Sequence, residues 1–270
     1  NPVALALSWH NGVVYRGDKA FYRFPYNDGE HMARELFHRV IYNYSENKAP
    51  MDELGPTPYG DLFDIVRLDT PRGPLKMELL ENYKVLFLVG EQNFTPEVVA
   101  RIREYVANGG TVIINSAQVN GKFDSDFLGA EIGGKPARTD TVVSGPDGKL
   151  MKSGTFTYSP LQPGQNTAVL YRTVGGEALV TRAPFGKGYV ICVGPHWLLE
   201  DGSYMENNSV RRTMLPLAGD ILKNLMPALT PFRLEGQNVD RQVLWQANRK
   251  GKGWVIAMSN SDGLTPVGKA

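Results

Sequence analysis

The run from Tyr83 to Ser116 constrains the fold of this chain more than any other stretch. It opens with an apolar segment of strand length, Tyr83–Val89, and ends with a second one, Thr111–Ile114. The helical pattern between them stops at Asn108-Gly109-Gly110, a typical helix end. Short loops joining strand, helix and strand favour parallel strands with a right-handed crossover. The chain is therefore predicted to be an α/β protein.

The helix of this unit carries its own start signals. Thr95 is a cap, Pro96 suits the first helical position, and Glu97 places an acid in the first turn. Its apolar stripe consists of Val98, Val99, Ile102, Tyr105 and Val106. This spacing predicts an amphipathic helix that covers one face of the sheet.

Other segments predict further elements of the same layered fold. Apolar runs at Val3–Ser8, Phe63–Leu68 and Tyr189–Val193 are typical of strands. Helical spacing runs from Glu30 to Tyr44, after a cap at Asn27-Asp28-Gly29. Together they predict a flavodoxin-like, open, mostly parallel sheet with helices on both faces.

The second half of the chain changes character. Residues 120–182 are rich in glycine, threonine and short alternating runs, which predicts a β-rich insertion or sheet extension. A last helix is predicted over about Asn208–Met226, with Pro216 as a kink. The alternation over 241–258 predicts a β-hairpin. We therefore divide the chain into an α/β domain, 1–228, and the start of a small β-domain, 229–270.

Composition limits the classes of function. The 270 residues carry a formal net charge of +1, so the chain lacks the excess of positive charge that is typical of nucleic-acid-binding proteins. No apolar run approaches the roughly 20 residues of a membrane span. The single cysteine, Cys192, excludes an internal disulfide and a cysteine-rich zinc site. We expect no cofactor. The start at Asn1-Pro2 suggests a segment of a larger polypeptide, or a mature form without its leader.

Chemistry is expected where parallel strands end, because ligands of open α/β sheets bind beyond the carboxyl ends of the strands. The side chains that follow the predicted strands are Trp9, His10, Glu91, Asn115, Ser116, His196 and Trp197. Ser116, His196 and an acid, Glu91 or Glu200, supply the residue types of a nucleophile, base and orienting group. Trp9, His10, Asn115 and Trp197 are candidate binding residues. Capping and structural hydrogen bonding are the competing interpretation of Ser116 and His196.

Two further groups of side chains are candidate sites. His31, Glu35 and His38 share a helix face, but three ligands spread over two turns do not close on one ion; an ordinary solvated face is predicted, with no metal. The aspartates Asp61, Asp64 and Asp69 surround a predicted strand, where a catalytic carboxylate pair and turn or cap duty are both open.

An aromatic cluster follows the first strand. It comprises Trp9, Tyr15, Phe21, Tyr22, Phe24 and Tyr26. Such residues stack on sugar rings, pack between subunits, or fill a core. These alternatives stay open at the level of sequence.

The Tyr83–Ser116 unit and the phrase Phe185-Gly-Lys-Gly-Tyr-Val-Ile-Cys-Val-Gly-Pro-His196 resemble the class I glutamine-amidotransferase-like superfamily, whose late strand carries a catalytic histidine. Leu128-Gly-Ala-Glu-Ile-Gly133 resembles a phrase of its non-catalytic branch, the trimerisation domain that follows the barrel in some bacterial β-galactosidases. The resemblance covers about residues 60–260. It implies a homo-oligomer, other domains on the same polypeptide, carbohydrate as a candidate ligand, and a periplasmic or extracellular setting.

The chain departs from the catalytic branch at the nucleophile. An amidotransferase needs a thiolate on a tight turn flanked by glycines. Ile113–Ala117 contains neither cysteine nor glycine, and Leu198 stands where an acid follows the histidine. Glutaminase chemistry is therefore not expected, and Cys192 is interpreted as a buried apolar filler.

Two hypotheses follow. The first is a non-catalytic structural and assembly module of a larger carbohydrate-active enzyme of glycoside-hydrolase type. The second is a hydrolase or carbohydrate-binding protein that uses a strand-end pocket formed by His10, Glu91, Ser116 and His196. A hydrogen bond between Ser116 and His196 would favour the second.

Overall fold

The computed structural model describes residues 2–8, 27–41, 63–70, 73–119, 121–145, 147–206, 209–229 and 243–260. Its α-helices are α1 (Asp28–Glu35), α2 (Met77–Leu80), α3 (Pro96–Ala107), α4 (Ser116–Val119), α5 (Ser125–Leu128) and α6 (Pro216–Leu229). A π-helical segment, Leu36–Ile41, continues α1, and His196–Leu198 form a 3₁₀ turn.

The strands are β1 (Val3–Leu7), β2 (Phe63–Arg67), β3 (Asp69–Thr70), β4 (Gly73–Pro74), β5 (Val85–Leu88), β6 (Thr111–Asn115), β7 (Ala130–Ile132), β8 (Ala137–Ser144), β9 (Leu150–Tyr158), β10 (Leu161–Pro163), β11 (Ala168–Arg172), β12 (Ala178–Phe185), β13 (Gly188–Val193), β14 (Leu199–Glu206), β15 (Ser209–Met214), β16 (Val243–Lys250) and β17 (Gly253–Asn260). The described part of the chain thus alternates strands with helices before it becomes strand-rich.

Eleven strands form one mixed sheet. Five of them run parallel in the order β2-β1-β5-β6-β13. The sheet then continues antiparallel through β12, β11, β8 and β9, while β10 pairs with β12 and β7. The predicted α/β architecture with a β-rich extension is confirmed.

The β5-α3-β6 unit has the predicted form. Thr95 caps α3 by accepting a hydrogen bond on Oγ1 from the Val98 amide at 3.3 Å, and Pro96 is the first helical residue. β5 and β6 are parallel, with Val85 opposite Thr111. The predicted strand–helix–strand unit is therefore confirmed.

Side-chain alternation builds a separate core on each face of the sheet. In β1, Val3 and Leu5 pack into one core and Ala4 and Ala6 into the other. Helices α1 and α6 contribute residues such as Met32 and Ile221 to the first core, and α3 contributes Val98, Ile102 and Val106 to the second. Helices therefore lie on both faces, as predicted.

The predicted last helix starts later than expected. Ser209–Met214 form strand β15, which pairs antiparallel with β14, and the helix begins only at Pro216. Proline lacks an amide hydrogen and is favoured in the first turn of a helix, so Pro216 starts this helix instead of bending it. The prediction of a kinked helix from Asn208 is wrong.

The predicted solvated face of α1 is also wrong. His31 and Glu35 are buried, and the Glu35 carboxylate forms an ion pair with Arg211 at 3.2 Å. The predicted cap of this helix is confirmed, because Asn27 Oδ1 accepts from the Glu30 amide at 2.8 Å and Glu30 Oε2 accepts from the Asn27 amide.

The hairpin predicted over 241–258 is confirmed as β16–β17, which forms a two-stranded sheet of its own. The boundary at residue 228 stays a prediction. The aromatic cluster at 9–26 lies outside the described residues. None of the helices in the described ranges is long and apolar enough to cross a membrane.

The fit between β6 and β13 depends on a glycine. A Cβ built on Gly188 would lie 2.0 Å from the Gly110 carbonyl oxygen and 2.4 Å from that of Val106. We expect Gly188→Ala to lower the free energy of unfolding by about 2 kcal/mol or more, because backbone must move to admit the methyl group. Urea unfolding measures this loss. Gly134→Ala is the matched control, since a Cβ there meets nothing within 4 Å; equal stability of both variants would contradict the prediction.

Candidate functional site

The carboxyl ends of β5, β6 and β13 lie side by side at one edge of the parallel sheet. Thr111 pairs with both Val85 and Tyr189, so the three strands are in register. Of the predicted site residues, Asn115 is the last residue of β6, and Glu91, Ser116, His196 and Trp197 follow the strands. Trp9 and His10 lie outside the described residues.

Asn115 ties the end of β6 to the turn after β13. Its Nδ2 donates to the Pro195 carbonyl at 2.7 Å, and its Oδ1 accepts from the amides of Ala117 at 3.0 Å and Trp197 at 3.2 Å. Asn115 is 1% exposed. The polar side-chain atoms of this predicted binding residue therefore form hydrogen bonds with backbone groups.

Gln118 performs the same task between β6 and β5. Its Oε1 accepts from the Asn115 amide at 2.8 Å, and its Nε2 donates to the carbonyls of Leu88 and Gly90. The side chain is buried. Sequence reasoning did not assign this residue a role; the available signal was an amide side chain three residues after a strand end.

Ser116 and His196 have different partners. The Ser116 hydroxyl donates to the Gly194 carbonyl at 2.9 Å. His196 Nε2 lies 2.9 Å from the Ser159 hydroxyl oxygen, and the Ser159 amide donates to the same Gly194 carbonyl at 3.0 Å. Between the described side chains of Ser116 and His196 there is no hydrogen bond. Ser159 is thus a further member of this group that the sequence did not reveal.

His196 is half-buried, and its burial lowers the pKa of the imidazole below the usual value. The negative charges of Asp201 and Asp28 act in the opposite direction and are the smaller influences. The neutral imidazole therefore predominates near neutral pH, so it can exchange a hydrogen bond with the Ser159 hydroxyl in either direction.

The turn after His196 is conformationally strained. Trp197 and Leu198 have φ values of 56° and 57°, the only positive values among non-glycine residues in the described ranges. The left-handed conformation costs such a residue about 1–2 kcal/mol. Contacts with the surroundings hold the turn in this conformation. Asn115 Oδ1 accepts from the Trp197 amide, and the Leu198 carbonyl accepts from the Leu215 amide at 2.8 Å. The Leu198 side chain is fully buried. Ser116 itself does not occupy a strained turn.

Glu91 is exposed and lies against the first turn of α1. A Cβ built on Gly29 would stand 2.7 Å from the Glu91 amide nitrogen and 2.9 Å from its Cγ. Only glycine permits this approach at Gly29. The start of α1 therefore packs directly on the backbone that leaves β5.

The other predicted groups lie apart from these contacts. Asp64 accepts a hydrogen bond from the Tyr83 hydroxyl at 3.1 Å, and Asp69 accepts one from Ser8 at 3.2 Å. Asp61 lies outside the described residues. Among the residues that the structure describes, no three His, Cys, Asp or Glu side chains converge in a way that could hold a metal ion.

Three solved β-galactosidases share the fold of this chain. Gan42B, a GH42 beta-galactosidase from G. stearothermophilus, matches with a TM-score of 0.53 at 15% identity, over 96% of this chain and 34% of that one. The enzyme from Bacillus circulans sp. alkalophilus matches at 0.51 and 15%, over 96% and 35%. The enzyme from Rahnella sp. R3 matches at 0.51 and 16%, over 96% and 36%.

This chain thus spans about a third of the length of these enzymes. The TM-scores, all above 0.5, show a shared fold, and at 15–16% identity the similarity shows nothing beyond the fold. No protein-family model matches the sequence, and neither does any curated protein.

The hydrogen bonds of Asn115 and Ser116 predict unequal costs of removal. Asn115→Ala leaves the Pro195 carbonyl and two amides without this partner, and we expect it to lower the free energy of unfolding by about 3 kcal/mol or more. Ser116→Ala should cost about 1 kcal/mol, because the Gly194 carbonyl keeps the Ser159 amide as donor. Chemical denaturation compares the two variants; a larger loss for Ser116→Ala would contradict this ranking.

Cys192 gives a separate prediction. The side chain is fully buried in β13, and burial raises the pKa of its thiol to about 12. Because the thiolate is the reactive form, we expect iodoacetamide at pH 8 to leave the folded protein unmodified and to alkylate it fully in denaturant. Intact mass reads out both reactions. Rapid labelling of the folded protein would contradict a buried, unreactive thiol.

Proposed function

We propose that this chain is a non-catalytic structural and assembly module of a larger carbohydrate-active enzyme of glycoside-hydrolase type. The observation that carries the proposal is the use made of the strand-end side chains. Asn115, Ser116 and Gln118 direct their polar atoms at backbone groups of neighbouring strands. A site of this kind holds the sheet edge together.

The same contacts weigh against hydrolysis at Ser116. A serine nucleophile needs a base that accepts its proton, but the Ser116 hydroxyl donates to a carbonyl and His196 is engaged with Ser159. Strained nucleophile turns present the attacking atom to substrate, whereas Ser116 is largely buried in an unstrained backbone. The alternative of a strand-end pocket with His10, Glu91, Ser116 and His196 therefore has less support.

The connection with glycoside hydrolases rests on the fold and on the sequence resemblance. The solved relatives are beta-galactosidases in which the shared fold occupies about a third of the chain. Descent from the amidotransferase-like superfamily is part of this proposal, as is assembly into a homo-oligomer with further domains on the same polypeptide. Carbohydrate is the proposed ligand of the assembled enzyme.

Activity and mass together test this function. We expect the 270-residue chain to form a defined oligomer by light scattering and to hydrolyse neither nitrophenyl glycosides nor nitrophenyl esters above the rate of buffer. A module without a nucleophile contributes interface area and shape to the assembled enzyme and performs no chemical step itself. A monomer would overturn the assembly role. Turnover that is lost in both Ser116→Ala and His196→Gln would overturn the non-catalytic role and favour the strand-end pocket.

The aromatic cluster gives the assembly test a specific variant. We expect Phe21→Asp to shift the oligomer towards monomer. Charged side chains are rare in interface cores because burying them costs desolvation free energy. Val174→Asp is the matched control, since this apolar side chain is 70% exposed in the turn between β11 and β12. Equal dissociation of both variants would contradict a role of the cluster in assembly.

A further inference from the structure

A group of charged side chains joins α1 to the β14–β15 hairpin. The Arg211 guanidinium forms an ion pair with Glu35 at 3.2 Å, with side chains that are 13% and 1% exposed. The neighbouring Arg212 forms an ion pair with Asp28 and donates to the Glu200 carbonyl. Both arginines belong to β15 and both carboxylates to α1, so the hairpin is attached to the helix by two adjacent charge pairs.

His31 is buried at the centre of this group, 4% exposed. It lies three residues after Asp28 and four before Glu35, which places it on the helix face that carries both carboxylates. Arg34 of its own helix and Arg211 and Arg212 of the hairpin also act on its charge.

The surroundings of His31 disfavour its protonated form. Burial, and then the charge of Arg212, lower the pKa of the imidazole; the charge of Asp28 opposes them. Glu35 already neutralises Arg211. The 3₁₀ turn contacts α1 and carries His196, on whose charge Asp28 also acts. Among the described side chains, a proton on His31 would add a positive charge to those of Arg34, Arg211 and Arg212, beside the carboxylates of Asp28 and Glu35.

We propose that the contact between α1 and the β14–β15 hairpin is an acid-sensitive latch. The helix and the hairpin stay in contact while His31 is neutral, and the hairpin opens more often when His31 takes up a proton. Opening the hairpin removes Arg211 and Arg212 from the histidine and admits water. The protonated imidazole then gains solvation and loses two repulsive neighbours. This regulation is independent of whether the strand-end residues catalyse a reaction.

The direction of the pH dependence follows from linkage. The open form binds its proton with an ordinary pKa near 6.5, whereas the closed form binds it only at lower pH. Opening is therefore constant above about pH 6.5 and increases as the pH falls below that value. One pKa unit corresponds to a tenfold change, so opening at pH 5.0 increases by at most about thirtyfold.

Hydrogen exchange tests the latch on the 270-residue chain. Protection factors of the amides in Leu199–Met214, corrected for intrinsic exchange, are measured at pH 7.5 and pH 5.0. We expect them to fall between about threefold and thirtyfold in the natural sequence and to be independent of pH in His31→Gln. His196→Gln is the matched control, because it removes the half-buried histidine of the neighbouring 3₁₀ turn; this variant should keep the pH dependence.

Several outcomes would overturn the proposal. Unchanged protection in the natural sequence is one, persistence of the dependence in His31→Gln is another, and its loss in His196→Gln is the third. If His31→Gln does not fold, an NMR titration of His31 in the natural sequence decides. The latch requires a midpoint below the ordinary value; a midpoint at or above it rejects the latch. Glu35→Gln should loosen the hairpin at both pH values.

Discussion

Buried backbone carbonyls at the ends of the parallel strands set the requirement that the rest of this structure meets. The carbonyls of Leu88, Gly194 and Pro195 lie where strands stop pairing, and an unpaired buried carbonyl is costly. The chain supplies donors from side chains at the end of β6 and just after it: Asn115, Ser116 and Gln118. These donors fix the spacing of three strands and the course of the turn after β13. In the part of this edge that the structure describes, Asn115, Ser116 and Gln118 make hydrogen bonds to the backbone of neighbouring strands and turns.

The two ends of α1 contact different parts of the structure. Its first turn fits against the backbone that leaves β5, where Gly29 leaves room for Glu91. Further along, its buried carboxylate receives Arg211 from a hairpin far away in sequence. The helix thus connects the strand-end hydrogen bonds with the charged contact. Its apolar residues, such as Met32 and Ala33, contribute to one core of the sheet.

Sequence patterns predicted the elements whose signals are local. The cap and proline of α3, the capping box of α1, and the β16–β17 hairpin all have short-range causes, and the structure contains them. The β15 strand was missed because its helical spacing competes with pairing to β14, which only the folded chain reveals. The burial of Glu35 and the pairing of His196 with Ser159 were missed for the same reason, since each partner is distant in sequence. The left-handed conformation of Trp197 and Leu198 could not be predicted from the sequence, because neither residue is a glycine.

The change from parallel to antiparallel pairing at β13 has a consequence for the order of folding. Several pairs of the antiparallel extension are neighbours in sequence, such as β8 with β9 and β12 with β13, and their short loops close at little entropic cost. β13 reaches β6 only when residues as distant as Ser116 and Gly194, 78 positions apart, come together. Contacts of such separation slow folding. We therefore expect the antiparallel extension to form first and the parallel half of the sheet to pack onto it late.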